Sequence, residues 1–426
     1  MKKVLIITYY WPPAGGPGVQ RWLKFVKYLR EFQIEPIVYI PENPQYPILD
    51  ESLVNEMPEG ISVLKKKIFE PYFLAKLFSK KQTSTISSGI IADSKKQNPL
   101  QKLFLYIRGN FFIPDARKFW VKPSIEFLSD YIAKHSIDTV ITTGPPHSLH
   151  LIGLGLKQRH NLNWIADFRD PWTQIGYHKK LRLSKKSGEK HLKLEKKVLS
   201  EANHIITTSF TTKTEFEKKT SRPITVITNG YDGLNQSEVP LDLHFTFSHI
   251  GSLLSGRDPK NLWLVLGELA AENSNFARDL KIKLVGAVSD EVVLSMKEFG
   301  LGIHLEISGY VPHKEALKIQ QSAQVLLLVE INSDETKGII PGKLFEYMAT
   351  KRPILAVGPR EWDVEKVLKE TSAGSCFNYD ERENLKVQIL NYYELFKLGK
   401  LKSESKNIEK YSRRNLTGNL AQLLKE

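Results

Sequence analysis

The sequence predicts an α/β protein made of two Rossmann-like, doubly wound domains with parallel sheets. Three observations carry that prediction. A chain of 426 residues is too long for one hydrophobic core. It opens in the order strand, glycine loop, helix, strand, the βαβ unit whose right-handed crossover builds parallel sheets. The same order restarts at Phe245, after a polar stretch over 234–243 that reads as a linker. The expected domains are 1–238 and 239–405, with 406–426 as a closing helical segment.

In the first half, residues 4–8 are a continuous apolar run, 9–18 a Gly/Pro loop, and 19–32 show helical spacing through Trp22, Phe25, Val26 and Leu29. Gly15, Gly16 and Gly18 let backbone amides approach a ligand at the carboxyl end of the first strand. Arg21, on the first helical turn, reaches the same spot. A tight structural turn is the alternative reading. Residues 37–40 read as the second strand and 138–142 as a later one. The latter is followed by TGPPHSLH, which puts His147 and His150 at a strand's carboxyl end, the edge where open α/β sheets bind ligands. A helix is expected over 151–159, and the next strand ends in Asp167, Phe168, Arg169, Asp170, Pro171 and Trp172. Two carboxylates flanking an arginine either pair with one another or serve a ligand. Residues 179–197 read as a lysine-rich helix, and 205–208 and 224–227 as strands.

Composition narrows the function classes. At 41% hydrophobic and 25% charged the chain is ordinary globular protein. The single cysteine, Cys376, excludes an internal disulfide and a cysteine metal cluster and fits a reducing compartment. The start, MKKVLIITYYWPP, breaks its apolar run with Tyr, Trp and a Pro pair, unlike a signal peptide. No apolar run reaches the roughly 18 to 20 residues of a spanning helix. The formal charge of +14 asks for an anionic partner. Much of that charge is local, since residues 65–122 hold 13 Lys+Arg against 3 acids, a balance of +10. Phe69, Tyr72, Phe73, Phe78, Phe104, Tyr106, Phe111, Phe112, Phe119 and Trp120 are interleaved with it. Such a mixture suits a lipid headgroup layer and an anionic membrane surface. Single-stranded nucleic acid is the competing partner, but no nucleic-acid motif accompanies the segment, so none is expected. A helical insertion with core aromatics and solvated lysines is the plain alternative. Residues 82–98 read as a low-complexity loop.

In the second half, 245–250 is a strand, 251–260 a second glycine loop carrying Gly251, Arg257 and Lys260, and 262–271 a helix. Arg257 suits a diphosphate because its planar fork meets two oxygens at once. Strands are expected over 281–285, 305–307, 325–329 and 354–357, a helix over 314–322, and helical pattern over 390–426. Ile339, Ile340, Pro341 and Gly342 form a loop opening a helix over 343–349. Such a helix start is an anion site, because its first amides lack intrahelical partners and carry the positive end of the dipole. Glu346, within the first turn and a half, is placed to bond a ribose hydroxyl beside the phosphate; the alternative is a plain helix-to-strand connection.

The run PGKLFEYMATKRPILA resembles the donor-binding segment of family 4 glycosyltransferases, retaining enzymes of GT-B architecture. That architecture implies two Rossmann-like domains whose parallel sheets face one another across a cleft. In the family two glutamates eight positions apart hold the sugar and the ribose of a nucleotide sugar; Glu346 matches the second, and the first falls on Gly338. The GGPGVQR loop resembles the family's N-terminal glycine loop, DFRDPW an acceptor-side element of a subset, and Gly309, Tyr310, Val311 and Pro312 its base-recognising loop. Where the family's second glycine loop has an arginine and, five positions on, a lysine, this chain has Ser252 and Arg257. The resemblance implies a donor site of Gly15, Gly16, Arg21, Gly251, Arg257, Tyr310, Val311, Gly342, Lys343, Leu344 and Glu346. It implies catalytic roles for Arg257, Lys343, His147, Asp167, Arg169 and Asp170, with no metal or other cofactor. The expected partners are a nucleotide sugar and a glycan or polyprenyl-linked acceptor of surface-glycan assembly. The expected location is cytoplasmic, peripheral to the inner face of the plasma membrane. The alternatives are a sugar-nucleotide epimerase of the same architecture and a non-catalytic lipid-surface binder.

Overall fold

The computed structural model describes residues 1–71, 99–233 and 239–425. The chain divides into two compact units, Met1–Asn229 together with Arg413–Glu426, and Gly230–Ser412. The first unit holds a seven-stranded sheet of order β3-β2-β1-β4-β5-β6-β7. Its strands are β1 Lys2–Ile7, β2 Ile34–Pro41, β3 Ser62–Lys66, β4 Thr139–Gly144, β5 Asn163–Phe168, β6 His204–Thr207 and β7 Ile224–Val226. The second holds a six-stranded sheet of order β10-β9-β8-β11-β12-β13. Its strands are β8 Phe245–Ile250, β9 Leu280–Val285, β10 Leu305–Ser308, β11 Val325–Val329, β12 Ile354–Gly358 and β13 Gly374–Asn378. Among the described residues every strand pairing within the two sheets is parallel.

Strands covered on both faces must be apolar without alternation, and β1 shows why. Val4 and Ile6 point to one face, against Trp22 and Val26 of helix Pro17–Leu29 and Leu420 and Leu424 of helix Arg413–Lys425. Leu5 and Ile7 point to the other, against Trp120 and Leu128 of helix Lys118–His135 and Leu149 and Ile152 of helix Ser148–Arg159. In the second unit Phe247, Leu284, Leu327 and Val357 meet Trp263 and Leu266 of helix Lys260–Glu272 and Ile389 of helix Arg382–Lys397. In each unit the chain winds outward from a central strand pair, β1 and β4 or β8 and β11, so each sheet has a switch point there.

The helical pattern expected over 390–426 is two helices. Arg382–Lys397 ends at Gly399, whose φ of +64 is the left-handed conformation glycine adopts cheaply. The Gly399 amide donates to the Phe396 carbonyl at 2.9 Å and the Lys400 amide to Leu395 at 2.9 Å, the paired bonds of a Schellman stop. The chain resumes helix only at Arg413, which belongs to the first unit. The lysine-rich helix begins at Lys185, later than the pattern suggested, because Ser184 caps it by accepting from the Ser187 amide at 3.2 Å.

Part of the basic aromatic segment is described. Trp120 is core and stacks on Tyr39 with ring centroids 4.8 Å apart, and Arg117 is buried against Glu70 at 3.0 Å. Phe69, Leu103, Tyr106, Phe111 and Phe119 are exposed. The loop expected over 82–98, with Tyr72, Phe73, Phe78, Lys80 and Lys81, lies outside the described residues. No described helix is long and apolar enough to cross a membrane.

Candidate active site

The second unit brings Arg257 and Lys343 together at the switch point between β8 and β11. Helix Gly342–Ala349 starts there without a side-chain cap, leaving its first amides to an outside acceptor. The loop before it is pinned from behind, since Trp362 Nε1 donates to the Ile339 carbonyl at 2.6 Å and the Asp363 amide to Lys337 at 2.9 Å. Lys343, in the first turn, donates to the Ile250 carbonyl at 3.1 Å and lies 3.2 Å from His249 Nε2. Burial lowers its pKa from 10.5 to about 7, the neighbouring Arg257 adds to the drop, and Glu330 opposes it. Leu344 is buried in the core. Gly251 has a φ of +115, and a Cβ there would stand 3.6 Å from Lys343 Nζ. Gly286, with φ +119, lets the loops after β8 and β9 touch, because a Cβ would fall 2.6 Å from the Gly251 carbonyl oxygen.

Arg257 is already engaged. Its guanidinium meets the Glu330 carboxylate at 2.9 to 3.2 Å through Nε and Nη2. Glu330, at the end of β11, is 2% exposed and also accepts from the Ile331 amide at 2.8 Å. Sequence reasoning missed Glu330; its only signal was a charge directly after the apolar run 325–329. Glu346 is half-buried and accepts from Gln320 Nε2 at 3.3 Å. Tyr310, in the loop after β10, is 93% exposed, and Val311 is half-buried. The Gly286 amide donates to the Ser308 and Gly309 carbonyls, which ties that loop to the others of this edge.

In the first unit the expected residues divide into two groups. Asp167 is fully buried and accepts from Arg21 Nη2 at 3.1 Å, Trp22 Nε1 at 2.8 Å and Thr143 Oγ1 at 2.8 Å. Arg21 also donates to the Thr228 carbonyl at 2.7 Å, so this pair is committed to the interior of the fold. Gly15 is packed on Ile48 and Asp50, Gly16 precedes the helix with a φ of +104, and Gly18 is where Arg169 crosses the loop. Arg169 donates to the Pro145 carbonyl and lies over the Tyr10 ring.

His147 and Asp170 form the second group. Both line a cavity of about 180 Å³ with Tyr10, Arg108, Arg117, Trp172 and His178. His147 is 6% exposed, stacks on Trp172 at 5.0 Å, and has no hydrogen-bond partner among the described residues for either ring nitrogen. Burial holds it well below the usual histidine range and His150 reinforces this, so it is a neutral imidazole. Burial raises the Asp170 carboxyl while Arg169 opposes the rise. A neutral imidazole, a carboxyl of raised pKa and an aromatic face can hold a polar hydroxylated molecule. Trp172 closes the DFRDPW run read in the sequence as an acceptor-side element, whereas His178 was not singled out there, where nothing distinguishes it from a core residue. Among the described residues no three His, Cys, Asp or Glu side chains are grouped to hold a metal ion.

No family model and no curated protein matches the chain. Solved structures do. A glycosyltransferase from Rickettsia africae aligns over 100% of this chain and 98% of its own at 15% identity, with a TM-score of 0.56. Sucrose-phosphate synthase from Thermosynechococcus elongatus aligns over 100% and 98% at 13% identity and 0.58. A protein from Listeria monocytogenes carrying the name UDP-N-acetylglucosamine 2-epimerase aligns over 100% and 96% at 11% identity and 0.56. At such identities the likeness speaks for the fold alone, and the fold is GT-B: two parallel-sheet α/β units.

Proposed function

We propose that the protein is a nucleotide-sugar-dependent glycosyltransferase whose second unit holds the donor. The observation that carries this reading is the convergence of Arg257, Lys343 and an uncapped helix start at one sheet switch point. Charge-assisted bonds from such groups are what a departing diphosphate requires. Glu346, on the same helix, takes the ribose. The GT-B neighbours support the reading, as they include several glycosyltransferases.

With retention, as the family 4 resemblance implies, the leaving diphosphate itself takes the acceptor proton. The protein then has to stabilise charge and orient the reactants. Arg257, Lys343 and the amides of Gly342 and Lys343 stabilise the charge. The first unit's cavity takes a sugar of the acceptor, with the Trp172 face packing it and His147 and Asp170 binding its polar groups. No step calls for a metal.

The acceptor is a glycan or polyprenyl-linked sugar, reached from an anionic membrane face. Exposed Phe69, Tyr106, Phe111 and Phe119, with Lys118 over the Phe112 and Phe119 rings, support that docking. The protein is accordingly cytoplasmic and peripheral to the membrane. The deciding experiment measures nucleotide release from UDP-, GDP-, ADP- and dTDP-sugars with and without a lipid-linked saccharide. Acceptor-dependent release from one donor supports the reading. Conversion of the sugar nucleotide without a glycoside product points to an epimerase, and silence with all four refutes an enzyme of this class.

A further inference from the structure

Lys343 and His249 form a contact that the donor reading leaves unexplained. An ammonium has three N–H groups, and the Ile250 carbonyl and His249 Nε2 occupy two, leaving one uncommitted among the described residues. His249 is fully buried, and its other ring nitrogen, Nδ1, lies 3.2 Å from the Leu327 carbonyl oxygen. A carbonyl only accepts, so Nδ1 carries the proton and Nε2 presents a bare lone pair to the ammonium. The opposite tautomer would aim an N–H at a cation and a lone pair at an oxygen.

We propose that His249 is a positioning residue for donor binding: its Nε2 lone pair anchors Lys343 so that the remaining ammonium N–H faces the donor diphosphate. This rests on the reading of the second unit as the donor site. The groups facing Lys343 are His249 from β8, Arg257 from the following loop, Glu330 from the end of β11 and, on its own helix, Tyr347, whose hydroxyl accepts from the Ile250 amide at 3.0 Å. Burial keeps His249 neutral, Lys343 and Arg257 reinforce that, and the Leu327 and Ser252 carbonyls oppose it. Lys343 is therefore the group that titrates near about 7. A diphosphate favours its charged form, so affinity is full below that value and weakens above it, by up to tenfold per pH unit for one proton.

The test is calorimetric titration with UDP, GDP, ADP and dTDP from about pH 6 to about pH 9, on the wild-type protein, His249→Gln and His249→Asn. Glutamine carries an oxygen to roughly the Nε2 position, whereas asparagine reaches only the Nδ1 position and the Leu327 carbonyl. His249→Gln should bind nearly as wild type with the same pH midpoint. His249→Asn should weaken binding roughly ten- to hundredfold and move the midpoint, the loss expected for one oriented bond from a charged donor. The proposal is overturned if asparagine preserves affinity and pH profile while glutamine does not, or if both bind as wild type. A flat wild-type profile across this range overturns it even should neither variant fold. Failure of all four diphosphates to bind wild type overturns the donor reading and the proposal together.

Discussion

Replacing Lys343 by methionine should make the ligand-free protein more stable and a poorer binder of its donor. The lysine is held at about 7 instead of 10.5, chiefly by burial and then by Arg257. At about 1.36 kcal/mol per unit the drop corresponds to about 5 kcal/mol. The side chain is half-buried, and solvent screening reduces this to about 2 kcal/mol. The sign follows from proton counting. Between about 7 and 10.5 the unfolded chain binds more protons than the folded one, so stability rises with pH across that window. Below it the full penalty applies. Lys343→Met removes the penalty and keeps the apolar stem, so the unfolding midpoint at about pH 7 should rise by about 5 °C. The gain should vanish near about pH 10. Scanning calorimetry at both pH values, paired with titration of the nucleoside diphosphate, reads both effects. A variant that is less stable at neutral pH, with donor affinity unchanged, would refute the reasoning.

Four further outcomes are expected. Arg257→Ala should lower turnover by roughly 10²-fold, as for loss of a transition-state charge partner, and retention of more than half the steady-state rate would move that role elsewhere. Glu346→Gln should raise the donor's dissociation constant and leave the circular dichroism spectrum intact. Asp167→Asn leaves Arg21 buried without its anion and should cost about 3 to 5 kcal/mol in a denaturant titration, because three donors converge on that carboxylate. The protein should co-sediment with vesicles of acidic lipid and not with neutral ones, and Gln at Lys65, Lys66, Lys67, Lys80 and Lys81 should release it; equal binding to both vesicle types would contradict membrane docking.

The inner strands were legible because burial on both faces forces continuous apolar runs, as at 325–329, where the expected and observed strand coincide. The edge strands β3 and β13 were not, since Ser62–Lys66 carries two lysines and Gly374–Asn378 only one large apolar residue. Helix ends moved where a single residue sets them, as Ser184 and Gly399 do. In the candidate site, the uncapped helix start at Gly342 could be read because the pattern that makes it is local. Glu330 could not, because its partner Arg257 is 73 residues away and only the fold joins them. The Arg21–Asp167 pair, 146 residues apart, shows the same limit from the other side: both residues looked ligand-facing locally, and the fold turns them on each other.

The most direct test is nucleoside diphosphate binding by the second unit's switch point. Calorimetric titration of the intact protein with UDP, GDP, ADP and dTDP should find one that binds, and Arg257→Ala and Glu346→Gln should each weaken it while His147→Ala leaves it unchanged. Binding that none of these variants alters, or no binding by any of the four, would contradict the assignment of the donor to this site.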